Sequence, residues 1–393
     1  MKKLFVAILA LVLVTSMSAC AKVKEKITLK VWAPQEEQVL LASMVEAFKK
    51  ANTGSEYTIE LGVVSEADAK TKYLEDPEAA ADVFMFANDQ IKDLVKSGSL
   101  YEITKNKAAI IAANVPGSVE AATVDGKLYG YPMTADNGYF MYYDSSVFTA
   151  TDVKSMEAML TKAAAANKKV FMDVSNGWYI ASFFLGAGNT LKIGTDGKQV
   201  VDFNNAKGLA VGEYIKSFTA NPAFLTGDDN ILKGGIGTTI AAGVSGTWNA
   251  ADIQSKLGAN YAAAKLPTIK LGGVDTQMGS FGGFKLIGVN SLTKAPLAAM
   301  ALAEFLTNEA NQLQRFTTRS LGPSNIKASA DPAVKSNIAL AALAAQSPFA
   351  VSQNDVLGTY WAPAEAFGLA METKDYTKTV QQLLDALVAQ INS

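Results

Sequence analysis

The chain has 393 residues, with 35 basic and 37 acidic side chains, a formal net charge of −2 and no histidine. That balance offers no basic surface to a phosphate backbone, so nucleic acid is not an expected partner. The missing histidine excludes Ser-His-Asp and Cys-His catalysis, imidazole acid–base chemistry and most zinc centres, and no cofactor or metal is expected.

Lys2 and Lys3 precede an apolar run, Leu4 to Val14, and then small residues ending at Cys20. This is the three-part layout of a secretory leader. The run is well short of the ~20 residues that span a bilayer as a helix. Met17-Ser18-Ala19-Cys20 resembles a bacterial lipobox, in which the cysteine becomes the lipidated first residue. Residues 1–19 are therefore expected to be a signal peptide and 20–26 a lipid-bearing tether. Cys20 is the single cysteine, so once lipidated it leaves no thiol for a disulfide or a metal. The expected location is outside the cytoplasm, anchored to the outer face of the cell membrane through that lipid alone.

The remaining length exceeds the ~250–300 residues at which a single core stops growing, so two lobes are expected. Ile27–Trp32 alternates as a strand, and Gln38–Lys50 sets Leu41, Met44, Val45 and Phe48 at helical spacing. Tyr57, Ile59, Leu61 and Val63 alternate as a second strand, and Ala81–Phe86 is a short continuous apolar run of the kind buried on both faces. Strand and helix in alternation predict an α/β fold. A short helix over Ile91–Ser97 stops at Gly98. Further on, the pattern predicts helices at Ser155–Asn167 and Ala206–Thr219, and strands at Lys169–Asp173, Gly237–Ala241 and Ser280–Asn290. Helices at Ala295–Leu306 and Thr379–Ile391 close the chain.

Within Leu128–Tyr143, two aromatic runs flank Thr134-Ala135-Asp136-Asn137-Gly138. Tyr and Phe favour strands, whereas Asp, Asn and Gly favour turns. The island reads as a bend or a crossover that leaves Asp136 between aromatic rings.

No phosphate-binding loop or nucleophile elbow is present, and Asp228-Asp229-Asn230 reads as a polar turn rather than a calcium loop. All four tryptophans sit beside turn formers: Trp32 before Ala33-Pro34, Trp178 after Asn176-Gly177, Trp248 before Asn249, and Trp361 before Ala362-Pro363. Aromatic rings at element ends, with carboxylates and amides nearby, suit a cleft for sugars. A pyranose has an apolar C–H face to stack and a rim of hydroxyls to hydrogen-bond.

Several segments resemble the extracellular solute-binding proteins of bacterial sugar ABC importers, most of all the maltose/maltodextrin branch. They are Ile27–Trp32, Ala81–Asp89, Ser97–Thr104, Asp125–Pro132 continuing to Asp144, Ile240–Trp248, Pro267-Thr268, Leu321-Gly-Pro323 and Tyr360-Trp361. The resemblance implies a two-lobed periplasmic-binding-protein fold (type II), with crossing strands at a hinge and the ligand in the interlobe cleft. It implies one lobe from 27–134 and 286–335, and the other from 135–285 and 336–393. It implies a non-catalytic, monomeric receptor for α-glucans that hands them to permease subunits. The same fold binding another oligosaccharide, or a surface sugar sensor, stays open, whereas a glycoside hydrolase built on Asp89 and Asp136 lacks any sign of a tuned acid pair. By position the resemblance implies ligand contacts from Glu36 and Glu37 in the loop after the first strand, and from Asp89 with Phe86 as a nearby wall. It implies others from Asp136 at the hinge, from Asn176 and Trp178, and from Trp248, Tyr360 and Trp361. The branch has a Lys beside the acid of the first loop and an acid at the Asn176 position. This chain has neither, which bears on linkage and ligand length.

Overall fold

A computed structural model describes residues 24–392. The leader and Cys20 lie outside the described residues.

Strands β1 (Glu25–Ala33), β2 (Ser55–Val63), β3 (Val83–Ala87), β4 (Tyr131–Gly138), β5 (Phe140–Asp144), β6 (Lys169–Phe171), β7 (Phe224–Leu225), β8 (Ile240–Ser245), β9 (Tyr261–Ala264), β10 (Ser280–Val289) and β11 (Ala350–Ser352) form two main sheets. The first runs β11-β10-β3-β1-β2, with β4 also on β10; the second runs β7-β6-β8-β5-β9. β1 and β2 are parallel from Glu25↔Ser55 to Ala33↔Val63, whereas β10 is antiparallel to both β3 and β4.

The helices that frame these sheets are α1 (Gln38–Ala51), α2 (Met156–Ala165), α3 (Gly177–Gly186), α4 (Ala206–Ala220), α5 (Pro296–Leu306), α6 (Glu309–Arg319), α7 (Ile338–Gln346), α8 (Trp361–Thr373) and α9 (Val380–Ile391). Local chemistry sets their ends. Ser155 caps α2 by accepting from the Ala158 amide, and Thr379 with Gln382 forms a capping box on α9. α1 buries Leu40, Leu41, Met44, Val45 and Phe48 on one stripe, each contributing about 1.5–3 kcal/mol by leaving water.

Two expectations shift. The strand predicted at Gly237–Ala241 starts later, at Ile240, because Gly237 has φ +81° and turns the chain. Of the two readings of Thr134–Gly138 the crossover stands and the bend does not: these residues end β4, held by pairing to β10, and tertiary pairing overrides the local preference of Asp, Asn and Gly. The conflict leaves its mark as register irregularities on either side of Lys285. Two residues later, at Phe140, the chain is already in the other sheet.

Each sheet has its own core. One gathers Leu29, Val31, Met44, Phe48, Phe84, Phe86, Leu286, Val289 and Leu302. The other gathers Met141, Phe148, Val170, Ile180, Phe183, Phe281, Val356 and Phe367, flanked by a smaller cluster of Phe140, Tyr142, Leu232, Ile253 and Ala342. The protein is thus two α/β lobes, and the chain crosses between them along β4, along β10 and near β11.

Candidate functional site

The space between the lobes holds a cavity of about 510 Å³. Pro34, Glu36, Ser65, Asp68 and Lys72 line it from one side, and Asp229, Lys233, Trp248, Asn249 and Asp252 from the other. Its lining residues come from turns at strand ends and from the short helices Ala69–Glu75, Asp229–Gly235 and Ala250–Leu257. Glu36 sits in the single turn after β1, and Trp248 in the turn Thr247–Asn249 after β8. The Trp248 Nε1 donates to Asp229 Oδ2 at 2.9 Å, which fixes its ring plane.

Trp178 stands beside this cavity, its ring centroid 5.7 Å from that of Trp248 with the planes tilted by 44°. Edge-on contacts with Tyr139 at 4.5 Å and Tyr179 at 5.2 Å complete the cluster. Asn176 is the N-cap of α3, its Oδ1 accepting from the Trp178 amide at 2.9 Å. Asn176 therefore aims Trp178, and its carbonyl oxygen is already engaged. Gly368 of α8 allows this loop to sit close, since a Cβ there would lie 2.0 Å from the Val174 carbonyl oxygen.

Asp89 occupies the turn that follows β3. Burial pushes its carboxyl up to about 7, against the lowering pull of its backbone hydrogen bond, Lys70 and the Gln353 amide. Asp173, at the C-terminal end of β6, is pushed up to about 6, first by burial and then by Glu372 and Asp229.

Phe86, Tyr360, Glu37 and Asp136 are placed elsewhere, whereas Trp361 keeps a partly exposed ring. Phe86 is fully buried among Phe84 and its neighbours in the core, so it is not a wall of the cleft. Tyr360 is likewise buried, its hydroxyl donating to the Gly177 carbonyl at 3.0 Å. Trp361 is half-buried at the start of α8, edge-on to Phe281 and Tyr360. Glu37 points inward: Arg315 Nε donates to its Oε1 at 2.6 Å and Arg319 to its Oε2 at 2.7 Å. Burial alone would raise the Glu37 carboxyl, but the two guanidinium groups overcome it and hold the carboxyl below its ordinary range. Both of its oxygens are engaged, which leaves Glu36 as the acid of this loop that faces the cavity.

Asp136 lines a second cavity, about 660 Å³, along the crossing strands rather than the cleft between Glu36 and Trp248. Its Oδ2 accepts from Thr247 Oγ1 at 2.5 Å and from the Gly322 amide at 2.6 Å. It is a joint between segments, because this side chain of β4 meets the Thr247 hydroxyl and the Gly322 backbone rather than the cleft between Glu36 and Trp248. Its Oδ1 has no hydrogen-bond partner.

Sequence reasoning missed three groups. Lys285, on β10, donates to Glu66 at 3.1 Å and lies 5.4 Å from the Trp248 ring centroid. Burial lowers its ammonium, but Glu66 and Asp136 outweigh that and keep it above its ordinary value. A lysine inside the apolar run Phe284–Val289 was the available signal. Asp229 was visible only as part of a polar turn. Gln353, which bonds to Asp89 and Trp178, carried no signal at all.

A family profile described as bacterial extracellular solute-binding protein matches residues 43–342. The maltodextrin-binding protein MdxE of Bacillus subtilis is 25% identical over 352 residues, 84% of this chain and 82% of that protein. A solved chain described as being with acarbose is 35% identical, with a TM-score of 0.84 over 93% of this chain and 99% of its own. The maltodextrin binding protein MalE1 from L. casei is 28% identical, with a TM-score of 0.76 over 94% of this chain and 99% of its own. The match over most of the chain, on two α/β lobes with a cleft between them, places this extracytoplasmic protein among the bacterial extracellular solute-binding proteins.

Proposed function

We propose that the chain is the lipid-anchored receptor of an ABC importer, capturing maltose and longer α-glucans in the interlobe cleft and presenting them to the permease. The observation that carries this reading is the tilted Trp178–Trp248 pair with Asp229 and Glu36 around it, and Asp89 linked to Trp178 through Gln353. Such rings stack pyranose faces, and such carboxylates accept from the hydroxyl rim. Further support comes from relatives whose names say maltodextrin, and from the ABC transporter extracellular-binding protein PH1039 of Pyrococcus horikoshii, 33% identical over 138 residues, 34% of this chain and 32% of that protein.

In this reading Trp178, Trp248 and Trp361 are platforms, Asp89 and Glu36 accept sugar hydroxyls, and Asn176 orients Trp178. The bodies that close are residues 27–134 with 286–335, and 135–285 with 336–393. Ligand touching both lobes favours the closed state, which the permease reads. The protein acts as a monomer, tethered through Cys20 and without catalysis. A glycosidase needs two free carboxyls flanking the scissile bond, whereas one Asp136 oxygen is already held by Thr247 and Gly322.

Titrating the soluble mature domain with maltose, maltotriose and longer α-glucans, followed by tryptophan fluorescence and calorimetry, tests the proposal. Dissociation constants near micromolar are expected, about −8 kcal/mol after ordering costs. A response only to another class of sugar overturns the α-glucan assignment.

Asp89 adds a pH signature. A carboxyl raised to about 7 in the fold binds hydroxyl donors best when ionised. Affinity should therefore rise between pH 5.5 and 8, with the step lost in Asp89→Asn. Folding stability runs the other way, because the folded state holds that proton up to higher pH than the unfolded chain does. The contribution is full below the ordinary 3.8 and is lost as pH climbs to about 7. Titrations and melts across that range check both signs.

A further inference from the structure

Gln353 follows β11 and is 4% exposed. Its Nε2 donates to Asp89 Oδ1 at 2.8 Å, and its Oε1 accepts from Asn137 Nδ2 at 2.9 Å and from Trp178 Nε1 at 3.2 Å. One amide thus touches the turn carrying Asp89 in the first lobe, the first crossing strand, and the helix carrying Trp178 in the second lobe. The flanking residues repeat the pattern. Asn88 Nδ2 donates to Asn354 Oδ1, and Asn88 Oδ1 accepts from the Phe284 amide of β10 at 2.7 Å. All three crossing segments therefore converge beside Asp89.

The chemistry of the partners dictates an amide. An ionised carboxylate only accepts and an indole N–H only donates, so a side chain between them must donate to one and accept from the other. A planar primary amide does both from one rigid group, and the two partners fix which end is which. Asn137, donating to the same oxygen, ties that group to β4.

We propose that Gln353 is the positioning residue of the cleft, holding the Asp89 carboxylate and the Trp178 ring in one mutual geometry across the two lobes. This rests on the sugar-receptor reading, in which those two groups meet ligand. The distance between a hydroxyl acceptor and a stacking ring selects which sugar fits, so the amide sets selectivity without touching ligand. The charged groups facing this node are Lys70 and Asp93 near Asp89, themselves paired at 2.6 Å, and Lys92, which donates to the Asn354 carbonyl.

Two substitutions in the mature protein test this. Gln353→Glu keeps the acceptor for Trp178 but sets a second carboxyl against Asp89. Maltotriose affinity should fall at least tenfold relative to wild type at pH 8, with the deficit narrowing to under threefold at pH 5 as the carboxyls protonate. Gln353→Met should weaken affinity by a similar factor at both pH values. It should also shift the tryptophan emission of the unliganded protein, a shift absent in a Trp178→Phe background. A Gln353→Glu variant that binds like wild type across pH 5–8 overturns the proposal. So do variants that melt earlier yet bind normally while folded, since the amide would then be structural only. Should wild type bind no α-glucan, the receptor reading fails by itself. The emission comparison still decides the positioning claim, which falls if Gln353→Met leaves Trp178 emission unchanged.

Discussion

Replacing Trp178 with alanine should weaken α-glucan binding at least tenfold, a loss of about 1.4 kcal/mol or more. The ring presents an apolar face next to Trp248, and a sugar stacked there loses most of that contact when the indole goes. The substitution will not leave the fold untouched. Trp178 packs edge-on against Tyr139 and Tyr179 and donates to Gln353. Because the ring is half-buried, the expected cost is about 1–3 kcal/mol, below the 3–5 of a fully buried Trp. Calorimetric titration beside thermal melts separates the two effects. A lowered melting point with unchanged affinity would make Trp178 a packing residue only. Trp178→Phe, which keeps a ring and loses the N–H, should recover part of the binding. Trp361→Ala should follow the same direction, with its packing loss falling on Phe281.

Glu37→Ala should be the most destabilising single change near the cleft, at about 3–5 kcal/mol. The carboxylate is the shared counter-ion of Arg315 and Arg319, and the Arg315 side chain is 1% exposed. Removing it strands the Arg315 guanidinium, which already has an unpartnered NH2, and leaves Arg319 with only the longer 3.7 Å pairing to Glu36. The pH dependence identifies the cause. A folded carboxyl held below its ordinary 4.5 contributes stability that is present above that value and lost as pH falls through the lowered one. The gap in unfolding free energy between wild type and variant should shrink in acid, measured by urea titration at pH 7 and below pH 4. A gap independent of pH would mean the ion pairs are not its source. Ligand affinity in the folded variant should change less than in Trp178→Ala, because Glu37 faces away from the cavity.

How much of this was legible follows from what each residue needs. Gln38–Ala51 and Val380–Ile391 were readable because a helix with one buried stripe writes a 3.6-residue period. Gly177–Gly186 was not. It buries most of its circumference, including Tyr179, Ile180, Phe183 and Phe184, so no polar face marks its turns. Trp178 and Trp248 were singled out because each sits beside turn formers, and the fold does bring their rings together. Phe86, Glu37 and Tyr360 were drawn to the cleft by their neighbours in sequence, yet strand alternation and helix geometry turn adjacent side chains to opposite sides. Glu36 lines the cavity, whereas Glu37 turns to Arg315 and Arg319 and Phe86 to the core. Gln353 was invisible because its role lies in partners 264 and 175 positions away.

β10 is an interior strand of the first sheet, lying between β3 and β4. Phe281 of that strand belongs to one core and Leu286 to the other. The lobe that begins first in the chain is therefore not one that can close first. During synthesis β1, β2 and β3 must wait for nearly the whole second lobe to be made before their sheet gains its inner strand. Loop closure over such separations is slow, so the protein stays without a finished N-terminal core for most of its length. Once formed, the shared strand makes the two cores fail together: melting one frays a strand of the other, and a single unfolding step is the natural result.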